Sequence, residues 1–420
     1  MSTILFSKLK NLQYFKFSAY GFLKNLRFFD AFFILFLVEK GLSYSEIGIL
    51  YASREIFINI MEVPSGVIAD TFGRKSSLIA SFFAYIISFI IFYLSGSFWP
   101  FLLAFLIYGL GDAFRSGTHK GMIMDYLKMK QWQDQKINYY GHTRSWSQKG
   151  SALSSIIAGL IVFYDGSYQS VFLYSVIPYL LNVILIFTYP KQLNKPAKVE
   201  SSMQGLNFRI TFVNFIKTVR QFHVLKIISS AALHSAYLRA IKDYIQPVMV
   251  HVVLLIPVLI SIEQDRKNGL FIGLFYFVIY ILTSFASMYA HKVASRHKKT
   301  ISYITLLFGF AAGIFSGIFF NNQLWIISLI AFVLVFINEN IRKPILTGFV
   351  ANHVETEILT SVISAESLLK TIITAGLALI FGVVADGYGI GWSLVVVSGF
   401  LFSVSIIIQN IKFTTKGQSE

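Results

Sequence analysis

The chain has 420 residues, 55% of them hydrophobic and 13% charged, with a mean hydropathy of +0.65. A water-soluble domain carries about 25% charged residues, so the composition excludes one and leaves a protein that crosses a bilayer many times. The absence of cysteine removes disulfides and thiolate metal sites. The net charge of +16 lies between apolar runs, which points to lipid headgroups and topology and away from nucleic acid.

The first twenty residues, "MSTILFSKLKNLQYFKFSAY", lack a short apolar core ending in a small-residue cleavage site. They read as a cytoplasmic, basic lead-in and not as a signal peptide. Spans of about 20 residues are needed to cross the hydrocarbon core. Twelve such runs follow, near 19–38, 46–69, 77–95, 98–125, 139–163, 169–189, 226–250, 269–290, 301–319, 323–346, 360–384 and 391–411. They are far longer than the roughly 10-residue alternating segments of a membrane barrel. "HVVLLIPVLI" at 251–260 is too short to span and reads as an interfacial helix.

Loop charge sets the orientation. Residues 190–226 hold Lys191, Lys195, Lys198, Arg209, Lys217, Arg220 and Lys226 against a single acid, Glu200. "SGS" at 95–97, "YDGSY" at 164–168 and "ADGYG" at 385–389 carry no Lys or Arg. The positive-inside rule then puts both termini in the cytoplasm, for a multi-pass protein of the cytoplasmic (inner) membrane. The expected fold is all-α, twelve transmembrane helices in two six-helix bundles. Residues 1–189 and 226–420 form the halves, and 190–225 is a cytoplasmic basic linker.

The loop after the second run reads "GVIADTFGRKSSL", Gly66 to Leu78. It resembles the major facilitator superfamily, whose signature here is G-x-x-x-D-x-x-G-R-[RK]; Gly66, Asp70, Gly73, Arg74 and Lys75 occupy the fixed positions. The resemblance implies a secondary transporter that rocks two bundles around a central cavity. It also implies that these five residues act as a conformational latch. The physical chemistry is compatible: Gly66 permits close helix packing, Gly73 a tight turn, and Arg74 and Lys75 obey the topology rule. The matching loop of the second half, "AHKVASRHKKT" at 290–300, keeps the cations and loses the Asp and Gly. The fifth span lacks the Gly-Pro signature of drug/proton antiporters, which weakens a reading as a carrier of amphipathic drugs.

A charge at the bilayer centre costs about 2.5–3.5 kcal/mol on insertion scales, so such residues face a cavity or a partner. Eleven Lys and Arg fall within the runs or their ends, against eight acids. That excess favours a solute bearing carboxylate or phosphate, which the Arg fork matches. Arg115, Arg144, Arg239 and Lys242 are the candidate anion ligands, with Gln246 and Asn338 as further polar ligands. Asp112, Arg115 and His119 lie at i, i+3 and i+7, one stripe of a continuous helix. Asp112, His119 and Glu339 are the candidate proton-coupling groups, His119 because its unperturbed pKa is near 6.5. Pro344, in "NENIRKP" at 338–344, is placed to break the tenth span; Glu366 and Lys370, four apart, suggest a pair, and Asp125 is left without a functional role.

The expected function is a proton-coupled secondary carrier of a small polar, anion-bearing solute, monomeric in the lipid bilayer. No catalytic residue, cofactor or metal is expected, and the coupling ion is H+. Efflux of amphipathic compounds is the main alternative; a metal or metal-chelate carrier and a non-transporting sensor rank below it. No G-x-x-x-x-G-K-[ST] loop occurs, which disfavours ATP-driven transport, and the chain is expected not to be an enzyme.

Overall fold

A computed structural model describes residues 11–194, 222–258, 261–296, 301–353 and 359–410. Most of the 190–225 linker and the loop at 297–300 lie outside these, as does the side chain of Asp70. Among the described residues the chain is helical throughout, with no strand. Eight stretches are long and apolar enough to cross a membrane: Arg74–Leu94, Phe98–Met129, Ser170–Phe187, Gln264–Ala290, Ile301–Asn321, Trp325–Leu346, Ala365–Tyr388 and Ile390–Ile408. The helices Tyr44–Phe72 (α3) and Lys136–Asp165 (α7) are as long but carry several charges, among them Arg54, Glu55 and Glu62 on α3 and Arg144 and Lys149 on α7.

The remaining two expected runs are interrupted. The first divides into α1 (Leu12–Lys24), a 3-10 turn at Phe28–Ala31 and α2 (Phe33–Glu39). The seventh divides into α9 (Phe222–Ile241), a 3-10 turn at Lys242–Tyr244 and α10 (Ile245–Leu254). The expected interfacial helix at 251–260 is not separate, because residues 251–254 are the last turn of α10. The fourth run is also two helices, α5 (Phe98–Arg115) and α6 (Thr118–Met129), parted at Gly117 with φ of 71°. The tenth, α13 (Trp325–His353), runs straight through Pro344, against expectation.

Two compact units result. One contains Met1–Arg209 with Asp243–Ser284, the other Ile210–Lys242 with Phe285–Glu420. The stretch 243–284, which follows the linker in sequence, thus packs with the first unit. In that unit α4 (Arg74–Leu94) lies against α5 and α8 (Ser170–Phe187), and α1 against α7. In the other, α12 (Ile301–Asn321) packs on α13 and α15 (Ile390–Asn410), and α9 on α14 (Leu359–Tyr388).

The packing of α8 shows how lipid shapes the fold. Its exposed face is apolar (Leu173, Ile177, Leu180, Ile184 and Phe187), while Ser175, Tyr179 and Asn182 are buried. Backbone groups freed by a helix break within a bilayer must find protein partners, and these three side chains supply them. The Phe28 amide donates to Ser175 Oγ (3.1 Å), Tyr179 donates to Lys24 O (3.2 Å), and Asn182 Nδ2 donates to Tyr20 O (3.2 Å). Gln246 mends the other side of the break. Its Oε1 accepts from the Ile34 amide and its Nε2 donates to Asp30 O, each at 2.9 Å. Asp30 and Ile34 are an i, i+4 pair, so the Gln246 amide occupies the place of one rung of an α-helical ladder.

Candidate functional site

The break in the first span ends α1 at Lys24, where Asn25 caps it by donating from Nδ2 to Gly21 O at 2.7 Å. The break in the fourth ends α5 at Arg115 and restarts the chain at Thr118 without a side-chain cap. These two helix ends meet α7 around a cavity of about 400 Å³. Phe17, Tyr20 and Lys24 of α1 line it, with Arg115, His119 and Lys120 of the fourth run and Tyr140, Thr143 and Arg144 of α7. No Asp or Glu is among the lining residues.

Asp112 stays out of the lining because it is already engaged. Its Oδ1 pairs with Arg115 Nη2 at 3.0 Å and accepts from Tyr85 at 2.6 Å. The same Tyr85 hydroxyl accepts from Arg115 Nε at 3.0 Å, closing a triangle. Arg115 Nη1 makes no hydrogen bond among the described residues. Lys24 and Arg144 form neither an ion pair nor a hydrogen bond through their side chains there, and Lys120 meets only the face of Tyr140, 5.7 Å away. Three cations and a guanidinium edge therefore remain available to a ligand.

His119 falls where a continuous helix would not have put it. The turn at Gly117 separates it from the helix of Asp112 and Arg115, whose i, i+3 ion pair forms, and it lines the same cavity as Arg115. Its ring stacks on Tyr20 with centroids 3.6 Å apart and planes 10° from parallel, and Phe17 meets its edge at 5.5 Å. Its Nε2 lies 3.4 Å from the hydroxyl of Tyr189, a residue beyond the end of α8. Burial pushes the Tyr189 phenol well above its usual range, so it meets His119 as a neutral hydroxyl.

A second polar cluster sits in the other unit. Asn338 Nδ2 donates to Thr305 O at 2.8 Å, which fixes the orientation of the amide. Its second hydrogen then points to His234 Nε2, 2.9 Å away, so that nitrogen accepts and the proton sits on Nδ1. Nδ1 donates to Glu339 Oε2 at 2.8 Å, and Ser235 Oγ donates to Oε1. Arg342, 1% exposed, donates from Nη1 to Ser302 O (2.6 Å) and Thr305 Oγ1 (2.7 Å), and from Nη2 to Ser230 O (2.7 Å). Glu339 and Asn338 are thus brought together through His234.

The other named residues are dispersed. Arg239 and Lys242 belong to the second unit, and neither lines the cavity. Arg239 is within electrostatic range of Lys370, as are Lys343 and Glu366, but Glu366 and Lys370 form no ion pair. Gln246 is buried and its amide is committed to Asp30, Ile34 and the Tyr276 hydroxyl, so it is not a free solute ligand. Among the described residues no group of three or more His, Cys, Asp or Glu could hold a metal.

In the latch loop, Gly73 has φ of 92°, the conformation that favours glycine. Arg74 Nη1 pairs with Asp125 Oδ2 at 2.6 Å, which gives Asp125 the structural role the sequence did not supply. Lys75 Nζ donates to Phe187 O (2.8 Å) and Tyr189 O (3.2 Å), and its amide donates to Asn194 Oδ1 at 2.9 Å. Gly66 lies within α3 with open space around it. Sequence reasoning missed Lys24, Tyr20 and Tyr85; the one local signal was the polar "KNLR" at 24–27 inside the first apolar run.

Residues 21–369 match the Major Facilitator Superfamily. The uncharacterized MFS-type transporter YxaM of Bacillus subtilis (strain 168) is 24% identical over 394 residues, 91% of each chain. Among solved structures, the nucleoside transporter NupG superposes with a TM-score of 0.71 at 15% identity, covering 96% of this chain and 100% of its own. The xylose transporter XylE from E. coli gives 0.62 at 15%, covering 96% of both. A peptide transporter POT gives 0.70 at 12%, covering 95% of this chain and 94% of its own. With apolar helices of spanning length and a family match over most of its residues, the chain belongs to the Major Facilitator Superfamily, whose members are membrane transporters and not enzymes.

Proposed function

We propose that the protein is a proton-coupled secondary transporter that moves a small polar, anion-bearing solute across the cytoplasmic membrane by alternating access. In this reading it is a monomer of twelve spans with both termini in the cytoplasm. The carrying observation is the cavity of the first unit, where Lys24, Arg115, Lys120 and Arg144 meet without a lining carboxylate. Unpaired cations at membrane depth are costly, and an anionic solute offsets that cost with charge-assisted hydrogen bonds. The structurally similar proteins are a nucleoside, a xylose and a peptide transporter; a small polar solute is the class carried over from them.

Coupling is assigned to Glu339, with Asp112 and His119 as the groups nearer the solute. Protonating Glu339 removes the charge that His234 and Ser235 now hold, which biases the second unit between two arrangements. A coupling ion acts through such a difference in affinity between conformations. Uptake by purified protein in liposomes should follow an imposed pH gradient and stop when a protonophore dissipates it. Uptake indifferent to the gradient refutes the coupling. Stabilisation of the protein by hydrophobic cations alone refutes the anion reading.

A further inference from the structure

The first-unit cavity holds more positive charge than a monoanion can offset. Four cations line it, and one of them, Arg115, is already balanced by Asp112. That leaves Lys24, Lys120 and Arg144. A singly charged solute leaves two of these without an anionic partner; a doubly charged one leaves one. The donors also converge from separate helices: Lys24 from the end of α1, Arg115 and Lys120 from either side of the Gly117 break, and Arg144 from α7. Donors from several directions suit an anion with three or more acceptor oxygens.

Resting on the anion reading above, we propose that this cavity selects solutes with two negative charges on oxygen, a phosphate monoester or a dicarboxylate, over monoanions of the same size. Lys24 and Arg144 are the selecting residues, because among the described residues neither has an ion-pair or hydrogen-bond partner. Their lack of partners also makes them removable. Replacing either with a neutral side chain breaks no ion pair or hydrogen bond among the described residues and relieves like-charge repulsion.

The test is ligand-dependent melting of the purified full chain at matched ionic strength, at a pH where methyl phosphate is a dianion. Four probes are compared: methyl phosphate against dimethyl phosphate, and succinate against butyrate. The dianion of at least one pair should bind about tenfold tighter or better than its monoanion. Preference confined to the first pair identifies a phosphate ester, and preference confined to the second a dicarboxylate; either supports the proposal. Equal binding within both pairs overturns it and leaves the anion reading standing. Stabilisation by none of the four overturns both. Lys24→Gln and Arg144→Gln should each erase the preference while the empty protein melts at the same or a higher temperature. A lower melting temperature of the empty variants would make these side chains structural and overturn their assignment. Lys149→Gln, on the same helix but stacked at 4.5 Å on Trp146 outside the cavity lining, should keep the preference.

Discussion

A charged cluster in each unit is satisfied to a different degree. In the second, Arg342 is bonded to two carbonyls and a hydroxyl, and His234, Asn338 and Glu339 close on one another. In the first, Lys24 and Arg144 face a cavity with no carboxylate in its lining. The number of charges within the spans is therefore a poor guide to function. What separates a structural charge from a ligand site is whether protein groups already satisfy it.

Stability of the empty, detergent-purified protein puts that comparison on one scale. Arg342→Met should show the largest loss. It removes three hydrogen bonds from a charged donor, to Ser230 O, Ser302 O and Thr305 Oγ1, and bonds of this kind are worth about 1.5–3 kcal/mol each. A loss no greater than that of Lys24→Gln would erase the distinction between the units. Gly309→Ala comes next, since the added methyl would strike His234 Nε2 and Asn338 Nδ2. Overpacking of this kind costs about 1–3 kcal/mol. It should also lower pH-gradient-driven uptake, because it disturbs the groups that orient Glu339.

A smaller effect is expected for Gln246→Leu, about 1 kcal/mol, the net worth of an ordinary hydrogen bond. The Ile34 amide and Asp30 carbonyl it releases can bond to each other, as an uninterrupted helix would have them. Closing that rung straightens the first span and shifts Lys24, so ligand-dependent melting should weaken more than the empty protein's stability does. Lys24→Gln should be the mildest, within about 0.5 kcal/mol of the parent or above it, because it breaks no ion pair or hydrogen bond among the described residues. Chemical or thermal melting of the four variants side by side gives the order, and the sign at Lys24 decides between a held charge and a waiting one.

Much of the fold was legible locally. The run expected at 169–189 appears as Ser170–Phe187, and 301–319 as Ile301–Asn321, because apolarity over about 20 residues is a property of the run itself. The site was legible only in part. Arg115 with Asp112 followed from helical spacing, and Arg144 from its place in a span. Lys24 did not, because the break that exposes it depends on Ser175, Tyr179, Asn182 and Gln246, residues more than 140 positions away. Gln246 was named as a solute ligand on the same local grounds and proved to be a backbone surrogate instead.

The amino-acid sequence by itself determined that this chain lives in a membrane, where most of its helices run, and that the loop after its second apolar run carries the family signature. Those properties depend on composition, periodicity and short motifs. Only the tertiary structure decided where the helices break, which charges the protein satisfies and which have no ion-pair or hydrogen-bond partner among the described residues. Within a bilayer no water is available to finish a broken ladder or pair a stray cation. The partner must come from another helix, and its identity is fixed by packing and not by proximity along the chain.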